Sequence, residues 1–273
     1  MKEYFVIEGQ NEGPTSVIMA GIHGNEPCGV RAFKKLEHKL KIKSGKVIFL
    51  LGNPVALKDN VRFVEQNMNR MFAEQNKEYT EEEKNSYEYR RAQFIKMFLD
   101  EADALLDIHS TRNKSLPFVF TEGNAFDIVN YFPKEVSRIV ININEYEPGG
   151  TDGYMYEKDK IGICIECGQH DSKNADKVAI KSIMIFLQKR GHIKDSTKKK
   201  LPKEIVMVNS IYFTKTDNFK MAKQFVDFEK IKMDQLIGTD GNEEIRAKQK
   251  GLIMFAHDCD KIGSEAFLMT KKI

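Results

Sequence analysis

Cysteine is scarce in this chain: Cys28, Cys164, Cys167 and Cys259 are the four among 273 residues. They are too few and too scattered for a disulfide framework. Cys164 and Cys167 spell C-x-x-C, but they lie in an apolar stretch, Ile161 to Gly168, that reads as a strand. Residues three apart on a strand leave opposite faces, which excludes a shared metal or an internal disulfide and leaves two small packing residues. Long apolar runs are missing too. None approaches the ~18 residues of a membrane span, and the segment from Met1 to Val6 lacks the apolar core of a signal peptide. A cytoplasmic protein with no membrane partner is therefore expected.

Neither sign of charge is in clear excess, since 43 basic residues face 40 acidic ones for a net charge of +3. That balance excludes a strongly nucleic-acid-binding surface. The runs Glu81 to Glu83 and Lys198 to Lys200 read as solvated faces. A G-x-G-x-x-G pattern is also absent, so the glycine-rich stretch Glu147 to Gly153 reads as an active-site loop, not a nucleotide cradle.

What the chain does have is apolar segments that alternate between strand and helix texture. With 41% hydrophobic residues, it holds enough for a sizeable core. Two strands are expected within residues 1–22, joined by a turn around Asn11 to Pro14. A helix from about Pro27 to Leu40 follows, then a buried strand from Lys46 to Leu51 and a loop over 59–72. A helix from Tyr87 to Leu99 and a strand from Ala104 to Ile108 come next. Pro117 to Phe120 reads as a strand, 126–140 as mixed, Ile161 to Ile165 as a strand and Asn174 to Gln188 as a helix. Beyond a polar connector, short alternating strands take over from Glu204. The expected fold is α/β, with a mixed, mostly parallel sheet flanked by helices over 1–200 and a small C-terminal β domain over 201–273.

Strand ends carry the chemistry. Gly21-Ile-His-Gly-Asn-Glu-Pro27 puts His23 and Glu26 at a strand-to-helix junction, and His109 closes the strand that starts at Ala104. A His nitrogen and a Glu oxygen are both good Zn2+ ligands, and a catalytic zinc takes three protein ligands and leaves a position for water. In open α/β sheets ligands sit outside the carboxyl ends of strands, so two histidines and Glu26 can line one crevice. Glu166 ends a further strand and suits either a general base or a helix cap. His257 and Cys259 read as packing residues.

Taken together, His23, Glu26, Asn53-Pro54, Arg62, Asn69-Arg70, Asp107-x-His109 and Ile165-Glu-Cys-Gly168 resemble the succinylglutamate desuccinylase and aspartoacylase family of zinc hydrolases, relatives of the zinc carboxypeptidases. The resemblance implies one Zn2+ per chain held by His23, Glu26 and His109, with Glu166 as general base. It implies that Arg62 stabilises the tetrahedral oxyanion, that Asn69 and Arg70 hold a substrate carboxylate, and that the C-terminal β region shapes access. The implied substrate is a small N-acyl amino acid-like molecule. A peptide-cutting metallocarboxypeptidase and a non-catalytic small-molecule binding protein stay open as alternatives, as does a homo-oligomer. The chain departs from the family at three places. Asn67 stands where members carry an aspartate beside a zinc-binding histidine, no arginine lies between Arg138 and Arg190, and Asp260 lies near the position of an aspartoacylase tyrosine.

Overall fold

The computed structural model describes residues 2–75, 77–197 and 199–273, so Lys198 of the basic run lies outside the described residues. Near the N-terminus two strands form, β1 (Tyr4–Glu8) and β2 (Asn11–Ala20). The turn expected at Asn11 to Pro14 is instead part of β2. A register irregularity between Asn11 and Thr15 lets Pro14, which has no N–H to give, sit in the strand. After β2 come α1 (Cys28–Leu36), β3 (Ser44–Leu51) and α2 (Pro54–Asp59). Helix α1 stops short of Leu40. Helix α2 was not expected, although Asn53 caps it by accepting the Ala56 N–H at 2.9 Å and Pro54 occupies its first turn.

The loop over 59–72 holds a single 3-10 turn, Met68–Arg70, capped by Asn67. Beyond it lie α3 (Glu81–Asn85), α4 (Tyr87–Glu101), β4 (Ala104–Thr111), β5 (Phe118–Thr121), α5 (Phe126–Val129) and β6 (Arg138–Ile141). Then come α6 (Thr151–Tyr156), β7 (Ile161–Gln169) and α7 (Ala175–Lys189). The glycine-rich loop is therefore a loop only as far as Gly150. The remaining strands are β8 (Glu204–Phe213), β9 (Phe219–Met221), β10 (Glu229–Ile231), β11 (Leu236–Asp240), β12 (Glu243–Arg246), β13 (Gly251–Met254) and β14 (Glu265–Lys272).

Eleven strands join one mixed sheet in the order β1-β3-β2-β4-β7-β5-β6-β8-β14-β13-β10, and β12-β11-β9 make a separate antiparallel sheet. Its central strands β3, β2, β4 and β7 run parallel to one another. They are buried on both faces, as continuous apolar runs require. On one face Ile18, Ala20, Leu106, Ile108, Ile163 and Ile165 pack with Phe33 of α1 and Phe186 of α7. On the other, Val17, Met19 and Leu105 meet Ile95 and Leu99 of α4 and Met155 of α6. Cys167 belongs to the first cluster and Cys164 to one on the opposite side, as alternation demands. No helix among the described residues is long and apolar enough to cross a membrane.

Candidate metal centre and active site

Three neighbouring parallel strands, β2, β4 and β7, bring their carboxyl ends to one edge of the sheet. His23 and Glu26 lie in the turn between β2 and α1. Gly24 lets that turn press on α2, because a Cβ there would fall 2.1 Å from the Ala56 carbonyl. Register pairs Ala20 with Ile108 and His109 with Glu166, so His109 and Glu166 leave the same face of the sheet side by side. His23, Glu26, His109 and Glu166 are all buried.

One ligand atom each from His23, Glu26 and His109 falls within a 4.8 Å sphere of mutual separation, a group able to hold a metal ion. His23 Nδ1 lies 2.8 Å from Glu26 Oε1, and His109 Nδ1 lies 3.1 Å from Glu26 Oε2. Both rings thus turn Nδ1 inward. With the proton on Nε2, His23 donates outward to Asn67 Oδ1 at 3.0 Å, and His109 Nε2 faces Asp107 Oδ2 at 3.0 Å. Asp107 in turn accepts the Thr151 hydroxyl at 2.7 Å. An imidazole whose outer nitrogen is held by an oxygen presents an oriented lone pair inward, the arrangement that metal-binding histidines need. His23 Nδ1 and Glu166 Oε2 are buried without a hydrogen-bond partner among the described residues, and His109 Nε2 meets Asp107 as a charge contact without an aligned hydrogen bond. The donor set, two imidazole nitrogens and a carboxylate, fits a zinc-type site with positions left for water and substrate.

The electrostatics differ between the two rings. Burial, with Arg62 adding to it and Glu26 opposing, holds His23 down at about 4, so its ring is neutral near neutral pH. Burial alone would raise Glu26, but His23 and His109 keep it well below the usual carboxylate range. Burial works to lower His109, and Asp107 overrides it, lifting the ring well above its ordinary value. Glu166 is pushed well above its ordinary value by burial and then by Glu26. A carboxyl with raised proton affinity beside such a cage is suited to take up and return a proton.

Arg62 reaches the cage through Nη1, 3.0 Å from Glu26 Oε1, and its backbone carbonyl accepts the Gly24 N–H at 3.2 Å. Asn69 Oδ1 accepts the Thr151 N–H at 3.3 Å. Arg70 is more heavily engaged than expected. Its Nε and Nη2 donate to the Glu265 carboxylate at 3.0 and 2.9 Å, Nη1 donates to the Asn69 carbonyl at 2.7 Å, and Nη2 also pairs with Glu147. Of five guanidinium N–H groups, one on Nη1 has no partner among the described residues.

Against known proteins, the model of the succinylglutamate desuccinylase/aspartoacylase catalytic domain matches residues 12–187. The chain belongs to this family. Similar relatives include the succinylglutamate desuccinylase of Pseudomonas paraeruginosa, 43% identical over 24% of this chain and 21% of that one. The "Probable aspartoacylase" of Prochlorococcus marinus is 26% identical over 70% of this chain and 67% of its own length. The N-acyl-aromatic-L-amino acid amidohydrolase (carboxylate-forming) B of Danio rerio is 25% identical over 55% of this chain and 53% of its own. The match thus spans as little as a fifth of the length of these relatives. Among solved structures, succinylglutamate desuccinylase from Vibrio cholerae superposes with a TM-score of 0.80 at 19% identity, covering 95% of this chain and 82% of that one. The ectoine utilization protein EutE (DoeB) from Ruegeria pomeroyi gives 0.73 at 19%, covering 99% and 88%. At such identity these two share the fold of the desuccinylase/aspartoacylase family.

The structure brings His23, Glu26 and His109 together, sets Arg62 on Glu26 and Glu166 beside His109, and places Asn69 and Arg70 on the adjoining 3-10 turn. Asp107 carries no role by residue type alone, though its spacing of two from His109 on a strand puts both on one face. Glu147 and Glu265 left no signal, because their partner Arg70 is far away along the chain.

Proposed function

We propose that this protein is a zinc-dependent amidohydrolase that cleaves the amide bond of an N-acyl amino acid, or a similar small carboxylate, into a carboxylic acid and an amine. The observation that carries this reading is the cage itself: two imidazoles aimed by Asn67 and Asp107, one carboxylate between them, and Glu166 in register with His109. His23, Glu26 and His109 would hold the zinc. Bound there, the ion supplies a Lewis acid that polarises both water and the scissile carbonyl.

The chain's own groups do the rest. Glu166 takes a proton from the attacking water and returns it to the leaving amine nitrogen, so that one water is consumed and the acid and the amine are released. Arg62, already within reach of Glu26, donates to the oxygen that becomes negative as the carbonyl carbon turns tetrahedral. Asn69 and the free N–H of Arg70 hold the substrate's carboxylate. The family membership and the names of the relatives support the same class of reaction.

The test is a hydrolysis panel with zinc-loaded protein: N-acetyl, N-succinyl and longer N-acyl amino acids beside short peptides. Turnover of N-acyl amino acids over peptides is expected. Glu166→Gln should keep stoichiometric zinc and lose about 10²–10⁴-fold in kcat. A fully active Gln variant would remove Glu166 as the base, and turnover confined to peptides would replace the proposed substrate class.

A further inference from the structure

Helix α4 carries a carboxylate that no cation pairs with among the described residues. Glu88 is fully buried, and no ion pair is found for it among the described residues. Its four acceptor positions are instead filled by N–H groups. Oε1 accepts from Val64 N at 2.7 Å and from Asn53 Nδ2 at 3.0 Å, and Oε2 accepts from Glu65 N at 3.2 Å and Gln66 N at 3.1 Å. Three consecutive backbone N–H groups of one loop thus converge on one side chain.

The loop returns the contact. The Glu65 side chain accepts the Tyr87 N–H at 2.5 Å, at the first residue of α4. Farther along, the Arg62 carbonyl is bonded to Gly24 in the ligand turn, and Val61 N donates to the Ala56 carbonyl at 3.1 Å. Arg62 and Asn67 flank the clamped residues. One reaches Glu26 and the other reaches His23.

An irregular loop has no ladder to hold its backbone, and its N–H groups must find acceptors or water. Burying a carboxylate to supply those acceptors is costly unless every lone pair is used, as here. We infer that Glu88 is a positioning residue: it fixes the 61–67 loop so that Arg62 and Asn67 arrive together at the metal cage. The catalytic half of this inference rests on the proposed role of Arg62.

A double-mutant cycle with a separate exchange measurement tests it. Glu88→Gln keeps the size of the side chain but turns an NH2 group toward backbone donors. Amide hydrogen exchange over 61–67 should accelerate in the zinc-free protein while β2, β4 and β7 stay protected. In the zinc-loaded protein kcat should fall about tenfold or more with KM little changed. In an Arg62→Ala background, the same substitution should cost less than about twofold further. Unchanged exchange, or an equal kcat loss in both backgrounds, would overturn the inference. If Arg62→Ala alone leaves kcat intact, the oxyanion role of Arg62 falls, while the exchange result still decides whether Glu88 fixes the loop. Should the Gln variant fail to fold, Glu88→Asp, a carboxylate one methylene shorter, is read by the same two measurements.

Discussion

An imidazole offers a metal one nitrogen and is aimed by whatever its other nitrogen touches. Here the two histidines differ in that outer contact. His109 faces the ionisable Asp107, and His23 faces the amide of Asn67. An amide oxygen accepts the Nε2 proton but adds no charge, so His23 is the less basic ligand of the two. Asn67→Asp should therefore tighten metal binding about tenfold, read by competition with a chelator. Unchanged affinity would assign Asn67 to capping the 3-10 turn, where its Oδ1 also accepts the Asn69 N–H at 3.2 Å. His23 and Glu26 were legible because they stand three positions apart at a strand end, and His109 because it closes an apolar run. Asp107 shares a strand face with His109, but spacing alone does not say that its carboxylate meets the outer nitrogen of that ring.

Strands and helices with a strong period were placed within a few residues, and the misses have local causes. Helix α2 has only six residues, less than two turns, so its apolar period could not show beside the Asn53 cap. Among the C-terminal strands, β8, β14, β13 and β10 extend the large sheet, and only β12, β11 and β9 stand apart. Short alternating strands look the same in either place, because pairing partners are not written in the alternation. Asp227, just before β10, marks where this region packs: Oδ1 accepts the Phe255 N–H at 2.8 Å and Oδ2 is buried with no aligned hydrogen bond among the described residues. Burial pushes its carboxyl up to about 6. Because the folded value lies above the unfolded one, the folded protein is not penalised below about pH 4, and the penalty grows until it is full above about pH 6. Asp227→Asn keeps the acceptor for Phe255 and removes the ionisation. Its melting temperature should exceed that of the parent at pH 7.5, by a gain on the order of 2–3 kcal/mol in stability, and match it at pH 4. A gain that persists at pH 4 would mean that packing, not ionisation, is responsible.

Arg70 and Glu265 are 195 positions apart, yet the guanidinium and the carboxylate make a two-bond fork. That contact joins the loop beside the metal cage to β14, well past residue 187, where the family match ends. No sequence spacing announces it, because a guanidinium and a carboxylate at such a distance have many other partners to choose from. Its consequence concerns substrate. With Glu265 and Glu147 both on Arg70, the positive charge expected to meet a substrate carboxylate is offset by two negative ones. Glu265→Gln should release donors and uncover that charge. The KM for an N-acyl amino acid should then fall about tenfold, the equivalent of the ~1.5 kcal/mol of a hydrogen bond to a charged group, with kcat nearly unchanged. The matching carboxamide, which has no charge to gain, should show no such fall. If KM instead stays level or rises equally for both compounds, Arg70 is a strut between the loop and β14, and the carboxylate is held elsewhere in the site.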